Sequence, residues 1–297
     1  MMEGFSLAGM AEIPVVVVHV QRVGPSTGLP TKSEQADLTQ WIHGSHGDFP
    51  RIVLSPGTIQ ECFEMTIKAF NLADIYQTPV VLLTDQDYGQ NFRTVRKFSL
   101  SGVVRKRGKL LSEKELRGVK GYKRYLFTRD GISPRALPSQ KNGIHLVESN
   151  EHDERGYRDE SFGNRKRMME KRMRKLRTAR KDLIHSRIWG EKKSGIGIIG
   201  CGSTYGPIQE AREHLHNEGI RTKFLQVRTL WPFLSREAED FIATCSQVFV
   251  VDNNYEGQLK NLIQSQVRTA IELKSILNYS GQTFTSKNIS GPILREL

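Results

Sequence analysis

Cysteine is scarce in this sequence of 297 residues, and its placement excludes one class of site. The three cysteines, Cys62, Cys201 and Cys245, lie far apart and show no CxxC spacing. As far as sequence can, this excludes a self-contained zinc or iron–sulfur site. So few cysteines also favour a reducing cytoplasm over a disulfide-bonded secreted protein.

Long apolar runs are missing too. No stretch reaches the roughly 18 apolar residues of a membrane helix. The first residues, MMEGFSLAGMAEIPVVVV, lack the basic start and cleavage site of a signal peptide. We therefore expect no membrane segment and a cytoplasmic location.

Acidic residues are outnumbered, which leaves a net charge of +12. This excess permits anionic substrates, nucleic acid or an acidic protein partner, and does not choose among them. No Ser-His-Asp arrangement, phosphate-binding loop or metal signature is legible, so motifs alone do not define a reaction.

Alternating strands and helices are present in the first hundred residues. Residues 13–20, IPVVVVHV, are a β-branched run typical of a parallel strand covered on both faces. In the helix predicted near 58–76, we expect a buried face formed by Ile59, Cys62, Phe63, Ile67 and Phe70. The other predicted elements are a helix at 34–45 and strands at 51–55 and 79–85.

A long connection follows. Residues 101–160 show no sustained period, and GISPRALP reads as irregular chain. Residues 164–185 predict a charged helix with a thin apolar stripe, formed by Met168, Met169, Met173 and Leu176.

A second alternating unit begins at Gly195. The pattern predicts strands at 195–202, 221–227 and 247–252, helices at 205–218, 235–244 and 257–273, and a polar tail. Strand and helix alternation of this kind predicts an α/β fold with right-handed crossovers. We expect three regions: residues 1–100, a connecting segment at 101–190 with the basic helix, and residues 191–297.

Arg22 is the leading candidate for chemistry. It follows the strand VVVVHV directly, and ligands of α/β sheets bind beyond the carboxyl ends of strands. A guanidinium can hold a carboxylate through two parallel hydrogen bonds. Ser26, Thr27 and Thr31 could add neutral donors. The alternative is a loop arginine that faces solvent, which is common on protein surfaces.

Three further motifs have plainer alternatives. GCGSTYGP at 200–207 is one residue longer than a dinucleotide fingerprint, and a tight strand-to-helix turn is favoured. NEHDERG at 150–156 is interpreted as a solvated turn rather than a metal site. The basic helix at 165–181 lacks interleaved aromatic residues, so nucleic-acid binding is not favoured.

A family resemblance adds to this interpretation. EGFSLAGMAEIPVVVVHVQRVGPSTGLPTKSEQADL resembles the α subunit of the 2-oxoacid:ferredoxin oxidoreductases, especially the 2-oxoglutarate type. The likeness continues through AFNLADIYQTPVVLLTDQ, GISPRALP, NEHDERG and NRKRMMEKRMRKL, and ends with VRTLWPF and VVDNNYEGQL. It implies two thiamine-enzyme-type α/β domains, one of the pyrimidine-binding type and one like the transketolase carboxy-terminal domain.

The resemblance implies an enzyme of class EC 1.2.7.- that oxidatively decarboxylates a 2-oxoacid to acyl-coenzyme A and reduces ferredoxin. Thiamine diphosphate, magnesium and an iron–sulfur cluster would be bound mainly by a partner β subunit, and none by this chain alone. In the family, the arginine matching Arg22 binds the substrate carboxylate, and the threonine matching Thr31 lies in the same pocket. No catalytic residue and no metal ligand is assigned to this chain.

The same resemblance implies that family members begin well before the residue matching Met1. The chain would then be part of a split subunit, a truncated gene product, or a sequence whose start is misplaced. A separate amino-terminal or γ chain could complete it, and we expect no activity from the chain alone. The alternative is a truncated, non-catalytic scaffold. His19 and Val23 stand where the family often has aspartate and glycine, which puts the conformation of the Arg22 loop in question.

Overall fold

The structure is a computed structural model that describes residues 1–191 and 193–297. Its strands form two sheets. They are β1 (Val15–Gln21), β2 (Ile52–Leu54), β3 (Pro79–Asp85), β4 (Arg187–Gly190), β5 (Ile196–Cys201), β6 (Thr222–Val227), β7 (Thr229–Trp231), β8 (Gln247–Asp252) and β9 (Leu273–Leu277).

Helices cover both sheets. They are α1 (Met2–Met10), α2 (Leu38–His43), α3 (Ile59–Tyr76), α4 (Gln86–Gln90), α5 (Glu113–Arg117), α6 (Phe162–Ala179), α7 (Tyr205–Asn217), α8 (Ser235–Ile242), α9 (Gln258–Gln266) and α10 (Ser286–Glu296).

The first sheet has the order β1-β3-β2-β7. Its first three strands are parallel, and β7 runs antiparallel to β2. Every residue of β3, PVVLLTD, is buried, as expected of a parallel strand covered on both faces. Since β7 belongs to the second half of the chain, the first sheet contains residues from both halves of the sequence.

The second sheet has the order β4-β6-β5-β8-β9. Its strands are parallel except β4, which runs antiparallel to β6. After β5 the chain crosses to β6 on one side, and then returns to β8 on the other. The carboxyl ends of β5 and β8 therefore form a topological switch point, where α/β sheets usually bind ligands.

The two sheets share a hydrophobic core. Trp41, Val53 and Val81 of the first unit belong to the same buried cluster as Ile199 and Val250 of the second. Separate clusters lie on the outer face of each sheet. This shared core fixes the carboxyl ends of the two sheets relative to each other.

The predicted buried face of α3 was wrong. Phe70 is 59% exposed, and Ile59, Cys62, Phe63 and Ile67 are only half-buried. The sheet side of the helix instead carries the residues Met65, Ala69, Leu72, Ala73 and Tyr76. Both faces of α3 are apolar, and the small alanines let the second face approach the sheet closely.

The end of the chain also differs from the prediction. The helix expected at 257–273 ends at Gln266, and Leu273–Leu277 forms strand β9 beside β8. The predicted polar tail contains helix α10, whose N-terminus is capped by Thr285 and Asn288 in a reciprocal capping box. The helix expected at 34–45 forms only over Leu38–His43.

The basic helix α6 buries charges rather than a methionine stripe. Of the four apolar residues predicted to face the core, only Met168 is fully buried. Lys171, Arg172 and Lys175 are buried beside it. Their partners are Glu12 at the end of α1 and Glu151 in the connection. Periodicity of apolar residues could not reveal a face held by ion pairs.

Candidate functional site

The loop between β1 and α2 begins at the carboxyl end of the first sheet. Gln21, the last residue of β1, pairs in register with Asp85, the last residue of β3. Arg22 follows directly and is exposed. Among the residues that the structure describes, no carboxylate forms an ion pair with Arg22. Its guanidinium is therefore available to an anionic ligand.

Three backbone hydrogen bonds close the loop. The Val23 N–H donates to the Lys32 carbonyl (3.2 Å), the Leu29 N–H to the Val23 carbonyl (3.3 Å), and the Lys32 N–H to the Leu29 carbonyl (3.0 Å). Arg22 and Thr31 each lie one residue before a partner of the first bond. The fold of the loop thus brings the backbones of these two predicted site residues close together.

Val23 fits this loop. It is 8% exposed and forms an antiparallel bridge with Leu29, an extended conformation that suits a β-branched residue. Gly28 supplies the turn instead: its φ is +49°, and a Cβ there would lie 2.2 Å from the Val23 carbonyl oxygen. The Gly24 N–H donates to the Glu34 carboxylate (3.2 Å). Burial raises the pKa of Glu34.

His19 anchors the far end of the loop. Its Nε2 lies 2.7 Å from Asp37 Oδ2, and its ring packs against Trp41 with a centroid distance of 5.1 Å. The Asp37 N–H also donates to Gln21 Oε1 (3.0 Å). His19 therefore holds the loop against β1.

A buried polar cluster lies beneath the loop. Gln35 Nε2 donates to Asp85 Oδ2 (2.9 Å) and to the Cys201 carbonyl (3.3 Å), and the Ser203 hydroxyl donates to the same Asp85 oxygen (2.5 Å). Asp85 is fully buried. Burial raises the pKa of its carboxyl group, although the bonds from Ser203 and Gln35 oppose that rise. Asp85 therefore depends on these neutral donors.

The second unit holds the backbone of the same segment. The Gln35 N–H donates to the Asn253 carbonyl (2.7 Å), and Asn254 Nδ2 donates to the Gln35 carbonyl (3.0 Å). Gln258 Nε2 donates to the Ala36 carbonyl (2.7 Å). The loop that carries Arg22 is thus attached to both sheets.

Sequence reasoning missed Gln35, Asn253 and Asn254. The sequence did indicate the position of the two asparagines, because they directly follow Asp252, the last residue of β8. The carboxyl ends of parallel strands gather at one edge of a sheet, where ligands bind. What the pattern could not show is that the edges of the two sheets face each other.

The glycine-rich turn at 200–207 is packed inside the protein. Residues 200–204 are buried, and a single 3₁₀ turn, Gly202–Thr204, joins β5 to α7. Arg228, which directly follows β6, pairs with Glu61 (3.1 Å). This geometry favours the tight-turn interpretation over dinucleotide binding.

The segment at 150–156 is not the solvated turn that was predicted. His152 is fully buried against Tyr125, with a ring-centroid distance of 4.0 Å, and Glu151 accepts two hydrogen bonds from Arg172. Burial lowers the pKa of His152. The turn was misread because the basic partner of Glu151 is on a distant helix.

Neither a metal cluster nor a membrane span is found in residues 1–191 and 193–297. No three His, Cys, Asp or Glu side chains gather there in a way that could hold a metal ion. Among the same residues, no helix combines the length and apolar character required to cross a bilayer.

Comparison with known families identifies the chain. Residues 1–171 match the family model described as pyruvate flavodoxin/ferredoxin oxidoreductase, thiamine diP-bdg. Residues 195–289 match the model for pyruvate:ferredoxin oxidoreductase core domain II. The first match alone covers more than half of the chain. The chain belongs to the 2-oxoacid:ferredoxin oxidoreductase family, as a subunit of the α type.

Relatives within this family span the whole chain. It is 38% identical to the "2-oxoacid:ferredoxin oxidoreductase 2, subunit alpha" of Aeropyrum pernix, over 100% of the chain and 46% of that protein. It is 30% identical to the "2-oxoglutarate synthase subunit KorA" of Methanothermobacter marburgensis, over 99% of the chain and 76% of that protein.

A solved structure matches as well. The 2-oxoglutarate:ferredoxin oxidoreductase from Magnetococcus marinus, with 2-oxoglutarate, coenzyme A and succinyl-CoA bound, is 37% identical with a TM-score of 0.92. The match covers 100% of this chain and 51% of that one. The predicted family and two-domain α/β fold are confirmed. The chain spans about half the length of the A. pernix relative and of the M. marinus chain.

Proposed function

We propose that this α-type chain supplies the substrate-carboxylate site of a 2-oxoacid:ferredoxin oxidoreductase. The complex would oxidatively decarboxylate 2-oxoglutarate, or a related 2-oxoacid, to the acyl-coenzyme A and reduce ferredoxin. The observation that carries the proposal is the position of Arg22. It is exposed at the carboxyl end of β1, and no ion pair engages it among the described residues.

Arg22 would hold a carboxylate of the substrate. A guanidinium keeps its charge at every physiological pH and offers two parallel N–H donors to a carboxylate. Once the carboxylate is held, the neighbouring 2-oxo carbon has a fixed direction. An aldehyde lacks that carboxylate, so the same contact would select oxoacids over aldehydes.

Thr31 would add a neutral donor in the same pocket. The hydrogen bond between Val23 and Lys32 places the backbone of Thr31 beside that of Arg22. A hydroxyl can donate to a carboxylate oxygen without adding charge. Thr31 would therefore refine the orientation that Arg22 sets.

The cofactors are assigned mainly to a partner β subunit. The carboxylates of this loop are already engaged: Glu34 accepts a hydrogen bond from the Gly24 N–H, and Asp37 lies beside His19. Among the described residues, no three His, Cys, Asp or Glu side chains gather to hold a metal ion, which supports a magnesium site on the partner. Thiamine diphosphate, when bound, supplies the nucleophilic carbon for a 2-oxoacid. An iron–sulfur cluster, ferredoxin and coenzyme A would act in the same heteromeric complex, to which a separate amino-terminal or γ chain could contribute.

Within this proposal, residues 1–100 form the carboxyl-terminal part of a pyrimidine-binding domain, and 191–297 form a transketolase carboxy-terminal-like domain. Residues 101–190 connect them. Relatives named as 2-oxoglutarate synthase subunits, and the 2-oxoglutarate bound in the M. marinus structure, support 2-oxoglutarate as the first substrate to test.

The test is Arg22→Ala in the complex reconstituted with the β subunit. We expect kcat/KM for 2-oxoglutarate to fall by a factor on the order of hundreds, because a charged hydrogen-bonded pair is lost. Arg96→Ala removes another exposed arginine, from a different loop, and should leave kcat/KM unchanged. Wild-type kinetics in Arg22→Ala would remove Arg22 from the site and overturn the proposal.

A further inference from the structure

Gln35 joins the Arg22 loop to both sheets at once. Its side-chain amide donates to Asp85 at the end of β3 (2.9 Å) and to the Cys201 carbonyl at the end of β5 (3.3 Å). Its backbone N–H and carbonyl are bonded to Asn253 and Asn254 after β8 (2.7 and 3.0 Å). The residue is 6% exposed. One side chain thus contacts the carboxyl ends of strands from two different sheets.

We propose that Gln35 is a positioning residue for the carboxylate site, which fixes the loop bearing Arg22 and Thr31 relative to both sheets. This inference rests on the function proposed above for Arg22. Gln35 is 6% exposed, so it would act by holding the loop and not by binding the substrate itself.

The short path from Gln35 to the site supports this role. Thr31 lies four residues before Gln35, and the Glu34 carboxylate, next to Gln35, accepts a hydrogen bond from the Gly24 N–H. Arg22 is two residues before Gly24. A shift of the backbone at position 35 would therefore move Thr31 through the four intervening peptide units. It would move Arg22 through the hydrogen bond between Glu34 and Gly24.

Burial makes the amide of Gln35 hard to replace. Asp85 has no cation paired with it among residues 1–191 and 193–297, and its carboxylate is satisfied by Gln35, Ser203 and the Asp87 N–H. A leucine at position 35 would keep the volume but leave a buried acceptor without its donor, which is unfavourable in an apolar interior. The segment would then move toward another donor or toward water.

Two variants test the role. Gln35→Leu removes the side-chain hydrogen bonds to Asp85, to the Cys201 carbonyl and to the Ser203 hydroxyl (3.4 Å). We expect it to raise KM for 2-oxoglutarate about ten-fold in the reconstituted complex, with a smaller change in kcat, because a displaced loop weakens substrate binding. Hydrogen exchange of backbone amides 22–37 should become faster in the same protein.

Gln35→Glu keeps the shape and adds a pH readout. At high pH two carboxylates would face each other and repel, whereas one shared proton would restore the hydrogen bond to Asp85. The ratio of KM in Gln35→Glu to KM in wild type should therefore fall as the pH is lowered. The titratable groups around Asp85 are common to both proteins, so wild type is the reference for their titration. Cys62, Asp87, Tyr88 and Cys201 interact with Asp85 directly, and Glu61, Arg93 and Asp252 interact with these neighbours.

Gln226→Leu is the matched control. Gln226 is also a buried glutamine. Its side chain is hydrogen-bonded to Glu61 (2.7 Å) and Trp189 (3.2 Å), both outside residues 22–37. Equal KM and exchange changes in Gln35→Leu and Gln226→Leu would overturn the positioning role, as would a pH-independent KM ratio for Gln35→Glu. If Arg22→Ala left kcat/KM unchanged, the carboxylate assignment would fall, and the positioning role with it.

Discussion

Lys175 Nζ lies 2.6 Å from Glu12 Oε2, and both side chains are fully buried. Lys171 Nζ lies 2.5 Å from the other oxygen of the same carboxylate. Burial lowers the pKa of Lys175 to about 7, although Glu12 opposes that change. Burial alone would raise the pKa of Glu12, but Lys171, Lys175 and Arg124 together lower it. One carboxylate is thus shared by two buried ammonium groups.

This sharing predicts a pH-dependent stability. In the unfolded chain Lys175 keeps its proton up to about pH 10.5, while the folded protein releases it near pH 7. Between these values the unfolded state binds more protons, so the contribution of this site to folding stability rises with pH. We expect the free energy of unfolding of wild type, relative to Lys175→Met, to increase above pH 7, by at most about 1.4 kcal/mol per pH unit.

Urea denaturation at several pH values from about 7 to 9 measures this difference. Lys166→Met removes an exposed lysine from the same helix and should give a curve parallel to wild type. Parallel curves for wild type and Lys175→Met would show that Lys175 stays protonated in the folded protein.

Arg172 and Arg165 both bind Glu151, but their burial differs. Arg172 is 1% exposed and donates through both Nη atoms (3.0 and 2.7 Å), whereas the Arg165 side chain is 49% exposed. Removing one partner of a buried pair costs about 3–5 kcal/mol, and exposed pairs contribute about 0–1 kcal/mol. We expect Arg172→Met to lower the free energy of unfolding by the larger amount and Arg165→Met by the smaller.

Chemical denaturation of the two variants gives the comparison. Similar destabilisation by Arg172→Met and Arg165→Met would mean that Arg165 stabilises the Glu151 carboxylate as much as Arg172 does. Binding to heparin adds a second readout, because buried charges cannot contact a polyanion. Arg172→Met should therefore elute at the same salt concentration as wild type.

Much of the fold was predictable, because the spacing of apolar residues in the sequence matches the buried positions in most helices and strands. Strand β3 was predicted at its observed bounds, 79–85, since every residue in it is buried and apolar runs of that length are typical of parallel strands. Helix α6 shows the limit. Its buried face includes three charged residues, Lys171, Arg172 and Lys175. Their partners Glu12 and Glu151 lie outside the helix.

The candidate site was predictable in part for a similar reason. Arg22 could be proposed as a site residue because it directly follows a strand, and a strand end is a local feature of the sequence. Gln35 could not, because its role depends on Asp85 and Cys201, which come from two sheets. The hairpin-like closure between Val23 and Lys32 also requires the folded loop.

Gly281, in the second unit, packs closely against the loop that carries Arg22. Its φ is +80°, and a Cβ there would lie 3.1–3.3 Å from side-chain atoms of Leu29, Lys32 and Val23. Gly219 has the same φ of +80° but nothing within 4 Å of a Cβ. Alanine at either position should cost about 1–2 kcal/mol in backbone strain, and only Gly281→Ala should also displace the loop.

Steady-state kinetics of the reconstituted complex separate the two effects. We expect a raised KM for 2-oxoglutarate in Gly281→Ala and an unchanged KM in Gly219→Ala, with similar losses of thermal stability. A wild-type KM in Gly281→Ala would show that the loop absorbs a methyl group without moving its site residues.

The three cysteines should be slow to react in the folded protein. Burial, with Asp85 adding to it, raises the pKa of Cys62 to about 11, and burial with Asp252 raises that of Cys201 to about 12. Burial also raises the pKa of Cys245. The thiolate is the reacting form, so alkylation of Cys62 near pH 8 should be about 100-fold slower than that of a thiol with the ordinary pKa of 9.

Intact-mass analysis after iodoacetamide treatment measures this. We expect no added mass on the native chain over a period in which the denatured chain gains three carbamidomethyl groups. Cys62 is the decisive residue, because it is half-buried and its low reactivity depends on its raised pKa as well as on access. Rapid alkylation of native Cys62 would mean that burial and Asp85 do not raise its pKa in the folded protein.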